Sequence, residues 1–133
     1  MSRFVMLFFT LFLFTSFTQL TLAADHTKDT IATIKKNLAA KKAVLIDVRE
    51  KAEWERGHLK AAILVPLSML SEKEQEAKVV KLLPKKKIIY CHCRSGGRAR
   101  AAGDILEELG YDVRPLRHGF FDLVDSGFEE AKQ

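Results

Sequence analysis

Cysteine is scarce in this chain of 133 residues: there are two, Cys91 and Cys93, with one histidine between them. That scarcity excludes the disulfide framework that staples many small exported domains. A bridge between these two would close so short a ring that backbone and bond are both strained, and a strained bond is labile. The pair could form a reversible oxidation product but not a structural brace. Cys91-His92-Cys93 also falls short of the four ligands of a closed structural metal site, so no metal is expected. Aromatic residues are not interleaved with the lysines, which argues against a single-stranded nucleic-acid groove. Repeats, low-complexity tracts and a second domain are all missing.

What is present is the balance of one globular domain, with 47% hydrophobic and 29% charged residues and enough length for a modest core. The net charge of +5 rests mainly on Lys35, Lys36, Lys41, Lys42, Lys85, Lys86 and Lys87. These lysines fall at helix ends and in linkers, so they provide a weak field attractive to small anions and little else.

The first 24 residues have a different character. Arg3 begins a positive n-region, residues 4–17 are almost wholly apolar, and Thr21-Leu22-Ala23-Ala24 supplies small residues before polar Asp25. This pattern is that of a secretory signal peptide, with a mature domain over 25–133. Export would place the mature protein in a bacterial periplasm or outside the cell, with no stable membrane insertion after cleavage. The alternative is an uncleaved anchor, because the apolar stretch approaches the roughly 20 residues that span a bilayer.

The remainder alternates helical and strand patterns, which implies an α/β fold with a small parallel sheet covered by helices on both faces. Ile31, Ile34 and Leu38 predict a helix over 27–40, and a buried strand follows over 44–48. A short helix over 50–56 should stop at Gly57. Ser71-Glu72-Lys73-Glu74 has the form of a capping box, predicting a helix from there to Leu83, with Pro84 ending it. Residues 87–93 are a β-branched and aromatic strand, 99–109 a helix with one apolar face closed by Gly110, 112–116 a strand in which Pro115 calls for an edge or strand-end position, and 120–124 a final short helix.

Cys93 stands where the 87–93 strand breaks into Arg94-Ser95-Gly96-Gly97-Arg98 and then a helix. Such a junction aims backbone N–H groups at one point and adds the positive end of the helix dipole. It favours the thiolate, the reactive form of cysteine. Gly96 and Gly97 can take positive φ and approach an anion closely. Arg98 and Arg100 lie in the first helical turn, where a cation is disfavoured by about 0.3–1 kcal/mol unless an anion sits there. A cysteine of this kind can also be a plain buried hydrophobe. Here the glycines and the helix-start arginines favour a reactive site.

Four pieces in order carry a family resemblance, running from about residue 44 to 128. They are Val44-Leu45-Ile46-Asp47-Val48-Arg49, Glu53-Trp54-Glu55-Arg56-Gly57-His58-Leu59, Ala62-Ile63-Leu64-Val65-Pro66 and the loop from Cys93 to Arg98. Together they resemble a single-domain rhodanese, a sulfurtransferase module. The chain departs from that pattern at Lys60-Ala61, Arg117-His118-Gly119 and Leu123, and the short edge strand that usually precedes the first family helix is not evident. The resemblance implies a rhodanese-like three-layer fold. It also implies a catalytic Cys93 that passes sulfane sulfur from thiosulfate or a similar anionic donor to cyanide or a thiol through a persulfide, with no cofactor. Arg94, Ser95, Gly96, Gly97 and Arg98 would bind the donor.

Asp47 and Arg49 are supporting candidates at a strand end, where pockets of open α/β sheets form. Asp47 either orients Arg49 toward the pocket, as the resemblance implies, or bonds loop N–H groups to hold the fold. His58 reads as a structural hydrogen-bonding residue. Two other functions stay open: a non-enzymatic persulfide carrier acting on a protein acceptor, and a cysteine phosphatase or arsenate reductase. Only four residues separate Cys93 from Arg98, a tighter loop than a phosphoryl group needs.

Overall fold

A computed structural model describes residues 24–132. The signal-peptide reading therefore lies outside the described residues, except for Ala24. Four strands, β1 (Ala43–Asp47), β2 (Ala62–Leu64), β3 (Ile88–His92) and β4 (Val113–Pro115), form an all-parallel sheet in the order β2-β1-β3-β4. The two longest strands are neighbours at the centre and nearly fully buried, as the run of β-branched and apolar residues requires.

Alternation along these strands sorts the core into two layers. Ile46, Val48, Ile89, Cys91 and Cys93 face one side, where they pack against α3 (Leu67–Ser71), α4 (Glu76–Leu82) and α5 (Gly97–Glu108) through Leu70, Val79, Ala99, Ala102 and Leu106. Ala43, Leu45 and Tyr90 face the other, against α1 (Ile31–Ala39) and α6 (Phe120–Asp125) through Ile34, Phe120 and Leu123. The result is the three-layer α/β arrangement expected, with α2 (Lys51–Arg56) following the end of β1. Pro115 ends the edge strand β4, where its missing N–H is harmless.

Two expected elements differ. The capping box at Ser71–Glu74 does not form. Pro66, with φ of −57°, starts α3 four residues earlier, so Ser71 becomes the last residue of that helix and its hydroxyl donates back to the Leu67 carbonyl at 2.8 Å. Burial of Leu70 fixes that turn, and α4 begins only at Glu76 after a 3₁₀ turn over Lys73–Gln75. The first helix likewise starts at Ile31 instead of residue 27. Thr30 caps it by accepting the Thr33 N–H at 3.2 Å, while Thr27 donates its N–H to the Pro115 carbonyl of β4 at 2.8 Å. One edge bond thus stands where a regular edge strand does not form.

Candidate active site

The site is built at the carboxyl end of β3. Cys93 follows that strand directly, points to the α5 side and is only 1% exposed. Gly96 turns the chain with φ of 94° and caps α5, and its N–H donates to Cys93 Sγ at 3.0 Å. Only glycine takes that dihedral without strain. Gly97 is different: its φ is not positive, and a Cβ there would meet nothing within 4 Å. Of the two glycines able to take positive φ, Gly96 alone does so.

The Cys93 carbonyl is fixed from the opposite layer, accepting the Phe120 N–H at 2.9 Å. Gly119 makes that approach possible, since a Cβ on it would collide with the Arg94 carbonyl. Its own N–H donates to Asp122 Oδ2 at 2.9 Å. Arg94 and Ser95 are exposed at the loop tip.

Cys91, two residues earlier, faces the same core but is sealed in it. It is 0% exposed, its thiol lies 3.3 Å from the Ala99 carbonyl, and burial first, then the nearby Cys93, pushes its ionisation far above the ordinary thiol range. Both cysteines are free thiols.

On the other face lies a buried polar group. Asp47 is 0% exposed and accepts from the Arg49 backbone N–H at 2.9 Å, from Arg49 Nε at 3.0 Å and from Nη2 at 2.7 Å. Both roles considered for Asp47 are thus filled at once: it bonds a loop N–H and it aims the guanidinium. Arg49 also donates to the Gly57 carbonyl at 2.8 Å and stacks 4.3 Å over the Phe120 ring. His92 lies beside this pair, fully buried; its Nδ1 is 3.3 Å from the Cys93 carbonyl, while its Nε2, 3.7 Å from Asp47 Oδ2, has no hydrogen-bond partner. Desolvation outweighs Asp47's attraction and lowers its pKa, so the ring is neutral.

Arg98 does not extend into open space. It grips Glu53 of α2 with two bonds of 2.6 and 2.9 Å, and those bonds hold the Glu53 carboxyl at about 2. The N–H of Glu50 also donates to Glu53 at 3.0 Å, tying the start of α2 to the start of α5. A cavity of about 370 Å³ opens between these elements, lined by Arg49, Glu53, Arg56, Arg94, Phe120 and Phe121, among others. Phe121 stands at its rim, 63% exposed. His58 stacks on Trp54 at 3.7 Å and bonds its carbonyl at 3.0 Å, a structural arrangement as read from the sequence. Among the described residues no cluster of three His, Cys, Asp or Glu could hold a metal ion.

A model of the rhodanese-like domain matches residues 30–126. The chain belongs to the rhodanese-like domain family. Among curated proteins it is similar to the uncharacterized protein YqhL of Bacillus subtilis, at 35% identity over 60% of each chain. It is also similar to a putative mitochondrial thiosulfate sulfurtransferase of Schizosaccharomyces pombe, at 33% identity over 58% of this chain and 59% of that one. The chain thus spans about three-fifths of the length of these relatives. Among solved structures, a rhodanese-related protein of Thermoplasma volcanium superposes with a TM-score of 0.62 at 27% identity, covering 77% of this chain and 94% of that one.

Within this rhodanese-like frame, sequence reasoning gave no role to two residues that touch the loop or its arginine. Glu53 was visible only as part of a motif, because its partner is 45 positions away. His26, hydrogen-bonded to Gly96, lies before any periodic segment and left no signal.

Proposed function

We propose that this rhodanese-like domain is a sulfurtransferase whose nucleophile is Cys93. The observation that carries the reading is the Gly96 N–H directed at Cys93 Sγ from a loop of four residues between Cys93 and Arg98. Membership of the rhodanese-like family and the sulfurtransferase name of the yeast relative support it. The Cys93 thiolate attacks the outer sulfur of thiosulfate, the sulfur–sulfur bond of the donor breaks, and sulfite leaves with the bonding pair. Cys93 is left as a persulfide, whose charge the loop N–H groups stabilise. Cyanide or a thiolate then attacks the outer sulfur and returns the Cys93 thiolate. Arg94, exposed at the cavity, attracts the anionic donor, and Asp47 and Arg49 hold the cavity wall. Arg98 acts on the loop through its pairing with Glu53.

Steady-state assay with thiosulfate and cyanide tests this directly. Thiocyanate should form, and aryl phosphates should be hydrolysed negligibly. Phosphatase turnover without thiocyanate would reverse the assignment. A persulfide that forms but is not discharged by any small acceptor would mark a carrier for a protein partner.

Export belongs to the same proposal, on the strength of Arg3, the apolar run and the Thr21-x-Ala23 exit. The protein recovered from cells should begin at Ala24 or Asp25. Intact Met1 on membrane-bound material would show an anchor instead.

A further inference from the structure

The segment between Ala24 and α1 crosses the start of α5 and reaches the loop. The Ala24 N–H donates to Asp104 Oδ1 at 2.5 Å, and its carbonyl accepts from Arg100 Nε at 2.9 Å. Thr27 bonds the edge strand through Pro115, and Asp29 accepts from Tyr90 Oη at 2.6 Å and Arg114 at 2.8 Å. Between these anchors His26 places Nε2 2.9 Å from the Gly96 carbonyl. A carbonyl only accepts, so Nε2 carries the proton and donates.

Gly96 is therefore held at both ends. Its N–H faces Cys93 Sγ and its carbonyl is held by His26, with the Arg100 N–H as a second, longer donor at 3.3 Å. The residue needs such restraint. It sits at positive φ, and glycine loses more conformational freedom on ordering than any other residue. Its loop neighbours Ser95 and Gly97 are exposed. The fit is close, because a Cβ on Gly96 would lie 2.8 Å from His26 Nε2 and 3.1 Å from the Arg117 carbonyl.

We infer that His26 is a positioning residue of the active loop, acting through Gly96 on Cys93, and that the segment from His26 to Asp29, anchored by Thr27 and Asp29, is a strap that keeps the loop N–H pointed at the sulfur. The catalytic benefit rests on the sulfurtransferase reading above; the restraint of Gly96 does not. The strap's anchors leave His26 little freedom to move away, so the donor is in place before any substrate arrives.

The test compares His26→Ala with His26→Gln, whose amide nitrogen can replace Nε2–H, in the otherwise intact reduced protein. Amide hydrogen exchange at Gly96, read by NMR, should accelerate about tenfold in the alanine variant and stay within about twofold of wild type in the glutamine variant. Sulfur transfer from thiosulfate should fall in parallel, by about tenfold in kcat with little change in KM, and recover with glutamine. Unchanged exchange at Gly96 in His26→Ala overturns the inference, as does a glutamine variant exchanging as fast as the alanine one. Wild-type protein inactive toward thiosulfate would refute the proposed function, while the exchange data would still decide the strap.

Discussion

The two faces of the sheet carry opposite chemistry at the same height. On the α5 face, β3 ends in Cys91 and Cys93 among aliphatic side chains, and the sulfur is served by a backbone N–H. On the α6 face, β1 and β3 end in Asp47, Arg49 and His92, a buried polar group anchored by side-chain bonds. The polar face meets the site at the cavity wall, through His92, whose Nδ1 lies 3.3 Å from the Cys93 carbonyl, and through Phe120, which stacks on Arg49 and bonds the same carbonyl. On the proposed function, the first face supplies reactivity and the second holds the frame. This division predicts that substitutions on the first change chemistry and those on the second change stability.

The sharpest contrast lies within the reactive face. Cys93→Ser should abolish sulfur transfer, because a serine hydroxyl is not appreciably ionised and the partner of this position is a backbone N–H, which takes up no proton. Cys91→Ser should keep most activity while losing about 1–3 kcal/mol for a buried hydroxyl. Equal inactivation of both would indicate a dithiol mechanism. On the frame face, Asp47→Asn leaves the Arg49 charge buried and unpaired, and should cost about 3–5 kcal/mol by chemical denaturation. A loss below about 1 kcal/mol would show that the pair is not a brace.

Gly96 and Gly97 divide the loop again. Gly96→Ala forces a side chain into positive φ and against His26, and should destabilise by about 1–3 kcal/mol with a large fall in turnover. Gly97→Ala, in open space at the first turn of α5, should be neutral or stabilise by about 0.4–1 kcal/mol. Similar damage from both would mean that loop flexibility matters more than the Gly96 turn.

The smallest effect joins the two regions. Glu53→Gln weakens the grip on Arg98 and should cost no more than about 1 kcal/mol at neutral pH, since the pair is partly exposed. The folded carboxyl is held at about 2, below its ordinary 4.5. Its contribution is thus complete above about pH 4.5 and lost as pH falls through about 2. Stability curves of wild type and Glu53→Gln should therefore converge in acid. A difference that persists at pH 2 would show that the side chain acts by packing instead.

Much of this arrangement was legible in the sequence, and for physical reasons. The β-branched runs at 44–48 and 87–93, the Cys93–Arg98 loop and the apolar stripe of α5 each depend on neighbours a few positions away. What escaped depends on distance. Ser71 looked like a cap because its local pattern fits one, but Pro66 and buried Leu70 had already committed it to the end of α3. Gly96 and Gly97 look alike until His26 and the Arg117 carbonyl close around one of them. The Arg98–Glu53 grip and the His26–Asp29 strap join segments 45 and 61 or more positions apart, with no periodicity to announce them.

The central claim is that Cys93, held by the Gly96 N–H, takes up one sulfane sulfur. Intact mass spectrometry of reduced protein mixed with thiosulfate, before and after cyanide, tests it. A gain of one sulfur atom on wild type, lost with cyanide and missing from Cys93→Ser but present in Cys91→Ser, is the predicted result. No mass gain on wild type, or a gain that survives in Cys93→Ser, would contradict it.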